Sequence, residues 1–435
     1  MVDASSLVTT FLPRFRPRGL LPAASAGVPA REGFSVDIED ARTIGARLRQ
    51  VRNARKKSLR VVAGLAGMSK SHLSEIERGE CALDSISEIV ALATALQIAP
   101  SELMRLPVPA PVNGETDSAV AAVRSAVTAA SRDRPGGLVL PVAVLRDRVS
   151  ATLNTHYGCN PEGKVGATLP ALIRDLHTSI AAGRDVAGLL DLAVLLHAGV
   201  TVGWLRVAGA PLDLRAEASL LALRAAQERD TPTALGLATW GGVYVMVTGG
   251  EFDVAQAELD AVSVPTNTPE SIQLAGTLAL CRSYVASADS RPGDMDAPLE
   301  LAAELAERTG EGTNAYWLGF GLHAVGQWHM AAAREAGDPE QVVSIAETLR
   351  RPEVHFDRSR EADYWVDYGG ALSRLRGRSD DAVLAFHRAE AISPHHVHRN
   401  PLVRDALAVL LARSRRNSPA GRELRRMAYR AGLPG

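Results

Sequence analysis

Ser58-Leu-Arg-Val-Val-Ala-Gly-Leu-Ala-Gly-Met-Ser-Lys-Ser-His-Leu-Ser-Glu-Ile-Glu-Arg-Gly79 reads as two short helices meeting at a sharp corner. Ser58 can cap a helix over 59–66 that stops at Gly67-Met68, and Ser69 can cap a second over 70–78 that stops at Gly79. A sharp crossing needs a small residue at the contact and a permissive backbone at the corner, which Ala63 and Gly67 supply. The buried wedge is then Val62, Ala66, Met68, Leu73 and Ile76. The outward side of the second helix is polar throughout: Lys70, Ser71, His72, Ser74 and Glu75.

Charge converges on the same stretch. Between Arg42 and Glu80 lie 10 basic residues and 3 acids, so the segment carries +7 while the whole chain carries −1. Lys56, Lys57 and Lys70 are three of the chain's four lysines. A basic segment on an otherwise acidic chain is the footprint of a polyanion-binding module.

From Ile44-Gly-Ala-Arg-Leu-Arg-Gln-Val-Arg52 through Gly79 to Ile98-Ala-Pro-Ser-Glu-Leu103, the residues resemble the Xre-type (lambda-repressor-like) helix-turn-helix domains. The resemblance implies a five-helix bundle over 39–105. Its fourth helix would begin at a capping box, Ser85-x-x-Glu88, and its fifth after Pro100. Two departures stand out. Glu80-Cys-Ala-Leu-Asp84 carries one extra residue and lacks the usual proline, and Leu59 replaces a glutamine that braces the base-contacting side chain in many members. The second helix of the motif enters the major groove in such domains. Lys70, Ser71 and Ser74 are therefore candidates for base edges, as are His72 and Glu75 unless they face the flanks. Arg47, Arg55, Lys56, Lys57 and Arg60 are candidates for phosphate contacts. Glu77 is expected to pair with an arginine of the first helix, such as Arg49 or Arg52.

The flanks organise around this domain. Residues 1–38 mix Pro, Gly, Ala and Ser with Arg14, Arg16, Arg18 and Arg31, and read as a flexible arm. Alternate prolines in Leu106-Pro-Val-Pro-Ala-Pro111 make 106–116 a stiff linker that separates the domain from the rest. Beyond it, 117–435 is helical pattern punctuated by turn residues. Pairs fall at 233–248 with 252–262, 269–288 with 297–308, 314–335 with 339–350, 361–376 with 379–392, and 401–415 with 421–431. Asp230-Thr-Pro232 and Thr268-Pro-Glu270 are helix starts, and Val243–Val247 is taken as helix among Ala-rich neighbours. Pairs recurring at roughly 30–45 residues signal an α-solenoid of tetratricopeptide type. The expected fold is all-α: a helix-turn-helix domain followed by TPR-like pairs.

An Xre-type domain followed by helical repeats is similar to a large group of actinobacterial transcription regulators. Gly312-Thr-Asn314, Tyr364–Gly377, Asn400–Asp405 and Arg422–Arg425 carry that likeness. It implies a cytoplasmic regulator that reads double-stranded DNA as a homodimer. Its concave groove would take a peptide or small-molecule effector, with Asn314, Trp317, Tyr364 and Tyr368 as the candidates to line it. The bland alternative is a helical-repeat scaffold whose helix-turn-helix does not bind DNA.

Composition sets the outer limits. At 435 residues, 46% hydrophobic and 22% charged, the chain can bury a sizeable core and is neither disordered nor fibrous. No run of 18 strongly apolar residues suggests a membrane span. Three scattered cysteines argue against a disulfide framework. Gly158-Cys-Asn-Pro-Glu-Gly-Lys164 has phosphate-loop spacing, but Val165 stands where Ser or Thr must hold magnesium and no strand precedes it. His395-His-Val-His398 reads as a surface loop without a metal cluster, and Cys81 as a small apolar filler. No enzyme, metal or cofactor is expected.

Overall fold

The computed structural model describes residues 43–106, 114–159, 162–309, 314–349, 357–414 and 418–433; residues 1–42, where the arm and the first residues of the expected domain fall, lie outside these. The motif forms as its capping residues dictate. Helix α1 (Ile44–Ala54) starts at Thr43, α2 (Leu59–Leu65) at Ser58 and α3 (Lys70–Glu77) at Ser69, each hydroxyl accepting an N–H of the first turn. Gly67 and Gly79 take the left-handed conformation (φ +69° each) that ends α2 and α3. Helix α4 (Ile86–Leu96) starts at Ser85, and α5 (Pro100–Met104) has proline in its first turn. Ile44, Leu48, Val62, Leu73, Ile76, Ile89, Leu92 and Leu96 form the core of this bundle, with Ala66 and Met68 packed partly buried against it. Gly45 lets α1 lie on α3: a Cβ there would sit 1.8 Å from the Ile76 carbonyl oxygen.

The regular elements among the described residues after the bundle are all helices, with no strand. First come α6 (Gly114–Ser131), α7 (Val142–Tyr157), α8 (Glu162–Ala181) and α9 (Val186–Leu196). A π turn (His197–Thr201) then joins α9 to α10 (Val202–Val207), and α11 (Leu212–Arg229) follows. Paired helices continue: α12 (Pro232–Gly249) with α13 (Phe252–Asp260), α14 (Pro269–Ala288) with α15 (Asp296–Thr309), α16 (Leu322–Glu335) with α17 (Pro339–Leu349), and α18 (Arg358–Arg374) with α19 (Ser379–Ile392). The chain closes with α20 (Pro394–His398), α21 (Pro401–Arg413) and α22 (Pro419–Arg430). Helices α12, α14, α16 and α18 pack side by side in succession, so the first helices of the pairs form one continuous row. Helix α14 is buried on every side, which fits its lack of a polar face. Val186–Val207 is long and apolar enough to cross a membrane, unlike the expectation from apolar runs, yet 67% of its most apolar window is buried among these helices.

Three expectations are corrected. The 314–335 helix is broken: a short 3-10 turn at Ala315–Trp317 precedes α16, with Tyr316, Trp317 and Gly319 all at positive φ. The capping box at Ser85 is half made. Ser85 Oγ accepts the Glu88 N–H at 3.2 Å, but the Glu88 carboxylate turns away to His72 and Arg374. The linker is shorter than 106–116, because Leu106 is buried in the bundle core and α6 begins at Gly114; residues 107–113 lie outside the described ones.

Nor is the bundle joined to the later helices by that linker alone. Asp405 of α21 accepts the Ile44 N–H at 2.7 Å on one oxygen and the Leu83 N–H at 3.1 Å on the other. Burial pushes its carboxyl up to about 7, against those two amides, which favour the ionised form. Glu335 of α16 accepts the Ser87 N–H at 3.0 Å and the Ser85 hydroxyl at 3.2 Å. Arg374 of α18 pairs with Asp84 and reaches Glu88 at 3.5 Å. Ile86 belongs to the core of the later helices rather than to that of the bundle. Residues 38–435 accordingly form one compact unit.

Candidate functional site

Helix α3 packs on α1 and α2 through Leu73 and Ile76, and the opposite face follows from that registry. Lys70, Ser71 and Glu75 are exposed there, while His72 and Ser74 are half-buried. Ser71 Oγ lies 3.0 Å from the capping Ser69 Oγ. Ser74 Oγ accepts from Arg78 at 2.6 Å, and Arg78 also holds Glu80 through two hydrogen bonds. The helix therefore presents a short row of hydroxyls with a cation at each end. Arg78 belongs to that row and was not singled out from the sequence. His72 instead turns inward: its Nε2 lies 3.0 Å from Glu88 Oε1, which ties α3 to α4. That pairing takes His72 out of the group aimed at base edges.

The basic residues around α3 divide in the same way. Arg52 settles the Glu77 partner, with Nε and NH2 donating at 2.6 and 2.8 Å to a carboxylate buried under the motif. Lys57 Nζ donates to the Ala95 carbonyl at 2.6 Å and Arg55 to that of Gln97 at 3.3 Å. Both cations sit at the C-terminal end of α4, where the unpaired carbonyls favour positive charge. Arg47 lies 3.7 Å from Glu102. Arg60, in the first turn of α2, and Lys56, between α1 and α2, are exposed and carry no ion pair among the described residues. These two are free to meet a phosphate without breaking an internal contact.

The row of first helices faces an interior cavity of about 250 Å³. Its walls combine rings (Tyr157, Trp240, Tyr244, Tyr284, Trp328 and Tyr364) with Arg206, Arg215, Arg334, Arg360, Asp357, Asp363 and Asp367. Burial drives the His156 imidazole at its edge down to about 3, so that ring is neutral. Burial likewise raises the Asp367 and Asp357 carboxyls to about 6, against the arginine beside each. Of the four residues expected to line the groove, Tyr364 reaches this cavity. Tyr368 is core and meets Glu347 at 3.3 Å through its hydroxyl. Asn314 lies in the broken segment, where its side chain accepts the Gly319 N–H at 2.7 Å, and Trp317 Nε1 donates to Asn154 at 2.8 Å. Asn314 thus braces the turn and Trp317 ties it to α7, which accounts for their placement away from the cavity.

Other singled-out residues take structural places. His395–His398 lies on α20 rather than on a loop, and His396 is buried with Ser393 Oγ 2.6 Å from its Nδ1. Gly158 closes α7. Burial raises the Cys81 thiol to about 11, which leaves it unreactive at neutral pH. His387, Glu390 and Glu423 come within 4.8 Å of one another, but both Glu390 oxygens already accept from Arg430.

A family model described as a helix-turn-helix domain matches residues 43–106, the five helices α1–α5. That stretch is a helix-turn-helix DNA-binding domain. No curated protein and no solved structure matches the chain.

Proposed function

We propose that the protein is a sequence-specific, DNA-binding transcription regulator of Xre type. It works in the cytoplasm as a homodimer, and its TPR-like repeats hold an effector. The observation that carries the reading is α3: a buried apolar face, an outward row of Lys70, Ser71, Ser74 and Arg78, and exposed Arg60 and Lys56 beside it. Hydroxyls and amines on a helix of this size match the donor and acceptor edges of the major groove, and the flanking cations match the phosphates on either side. The ring-lined cavity supports the effector half of the reading, because a few convergent charges among aromatic walls are what a small-molecule site requires. No group in this reading performs catalysis.

Mobility-shift titration of the full-length protein on the DNA upstream of its own gene, at 50 and 200 mM salt, tests it. A dimer making about 6–10 phosphate contacts loses roughly 10³–10⁵ in affinity over that range. A discrete complex with that salt dependence, competed far better by specific than by random DNA, is expected. Equal competition by both would overturn the sequence-specific reading.

A further inference from the structure

Four arginines and three aspartates line the cavity. Arg206 pairs with Asp363 at 3.0 Å, Arg360 lies 3.3 Å from Asp357, and Arg334 pairs with Asp367 and with Glu335 at 2.8 Å. Arg215 of α11 has no carboxylate partner among the described residues, and its Nε is buried without a hydrogen bond. A second group shares that condition. The Tyr284 hydroxyl is buried in the same wall and has no hydrogen-bond partner. Leaving a buried donor unmade costs free energy, and a cation more than a neutral group. Arg334 Nε in the same lining is a third donor without a hydrogen bond, while the one such acceptor, Asp357 Oδ2, lies 3.3 Å from Arg360; three orphaned donors describe a place for an acceptor that is itself negative.

The walls define the rest of the ligand. Tyr244 stacks on Tyr284 with centroids 6.2 Å apart, and Trp328 meets Tyr284 edge-on at 5.7 Å. Rings around a cavity can also hold a cation, but here Arg206 already lies over the Tyr244 face at 5.4 Å. With Arg215 unpaired as well, a second cation is repelled. A volume of about 250 Å³ lies just below the usual ~300–1,000 Å³ of sites for drug-sized molecules, which suits a compound of one or two rings. We infer that the cavity takes a small aromatic carboxylate, its ring between Trp240, Tyr244 and Trp328 and its anion on Arg215 and the Tyr284 hydroxyl. This rests on the reading of the repeats as an effector site and names the class of effector.

The test uses the full-length protein and no DNA, so it fails or succeeds independently of the regulator reading. Phenylacetate, 4-hydroxybenzoate, cinnamate and indole-3-acetate are titrated by calorimetry, each beside its neutral amide. At least one acid is expected to bind, with its amide weaker by roughly 10-fold or more, the worth of a charged hydrogen bond. Arg215→Gln should abolish the preference for acid over amide, and Tyr284→Phe should weaken the acid by several-fold while leaving the amide nearly unchanged. Circular dichroism confirms that each variant is folded; should Arg215→Gln not fold, the acid–amide ratio and Tyr284→Phe still decide. Absence of binding by every acid at 1 mM (a concentration set by about −4 kcal/mol of binding), equal binding of acid and amide, or a preference unchanged in Arg215→Gln would overturn the inference.

Discussion

Replacing Arg374 with Met tests whether the DNA-binding bundle is seated on the helices that follow it as a working contact. Arg374 leaves 10% of its side chain exposed and Asp84 9%, which places the pair with buried bridges rather than surface ones. Exposed pairs are worth about 0–1 kcal/mol, whereas removing one partner of a buried pair costs about 3–5 kcal/mol because the survivor is stranded. Glu88 keeps His72 as a partner, so the stranded group is Asp84. Burial already raises the Asp84 carboxyl, and Arg374 is the strongest influence that opposes this. Without the arginine, burial drives the Asp84 carboxyl further toward its neutral form. The sign follows from the direction: a carboxyl raised in the folded state contributes stability at low pH that is lost as pH rises toward its folded value. Urea unfolding at pH 5 and pH 7 should therefore show a deficit for Arg374→Met that grows with pH, and Asp84→Asn added to Arg374→Met should recover much of it. A deficit below about 1 kcal/mol at pH 7, or one that does not change with pH, would refute the buried-seat reasoning.

Other perturbations read separate parts of the same structure. Gly45→Ala should destabilise the bundle by about 1–3 kcal/mol or more in thermal unfolding, because its Cβ meets the Ile76 carbonyl at 1.8 Å and backbone must shift. Asp405→Asn offers a single acceptor oxygen where two amides now donate; an expected loss of about 1–3 kcal/mol should appear with faster hydrogen exchange at Ile44 or Leu83. Lys57→Ala should lower stability through the α4 terminus while leaving the salt dependence of DNA binding nearly intact, whereas Arg60→Ala should reduce that slope by about 1 per contact.

The parts legible from the sequence are those with local causes. Ser58, Ser69, Gly67 and Gly79 mark the corners of the motif because capping and positive φ are decided within a turn, and the apolar spacing of Leu73 and Ile76 fixes which face of α3 turns out. Paired helices beyond residue 231 were legible for the same reason, from Thr231, Thr268 and the prolines after them. Contacts between distant elements left no such signal. Asp405 reaches Ile44 across 361 residues, and nothing in Asn400–Asp405 marks its carboxylate as a clasp. The cavity escaped because its charges sit on inward positions of four helices, α10, α11, α16 and α18, and of the turn before α18, where an arginine looks like any solvated one. Tyr316 and Trp317 broke the expected 314–335 helix with left-handed backbone that neither residue type announces, although Gly319 and Gly321 beside them were a visible warning.

The most direct test of the account selects bound sequences from a random DNA library with the full-length protein, side by side with Lys70→Ala and Arg60→Ala. One enriched motif is expected for the natural protein. Lys70→Ala should enrich an altered motif, with preference at the matched base changed by about 1–3 kcal/mol, and Arg60→Ala should enrich the same motif with uniformly weaker affinity. No enrichment by the natural protein, or an identical motif from Lys70→Ala, would contradict the claim that α3 reads DNA.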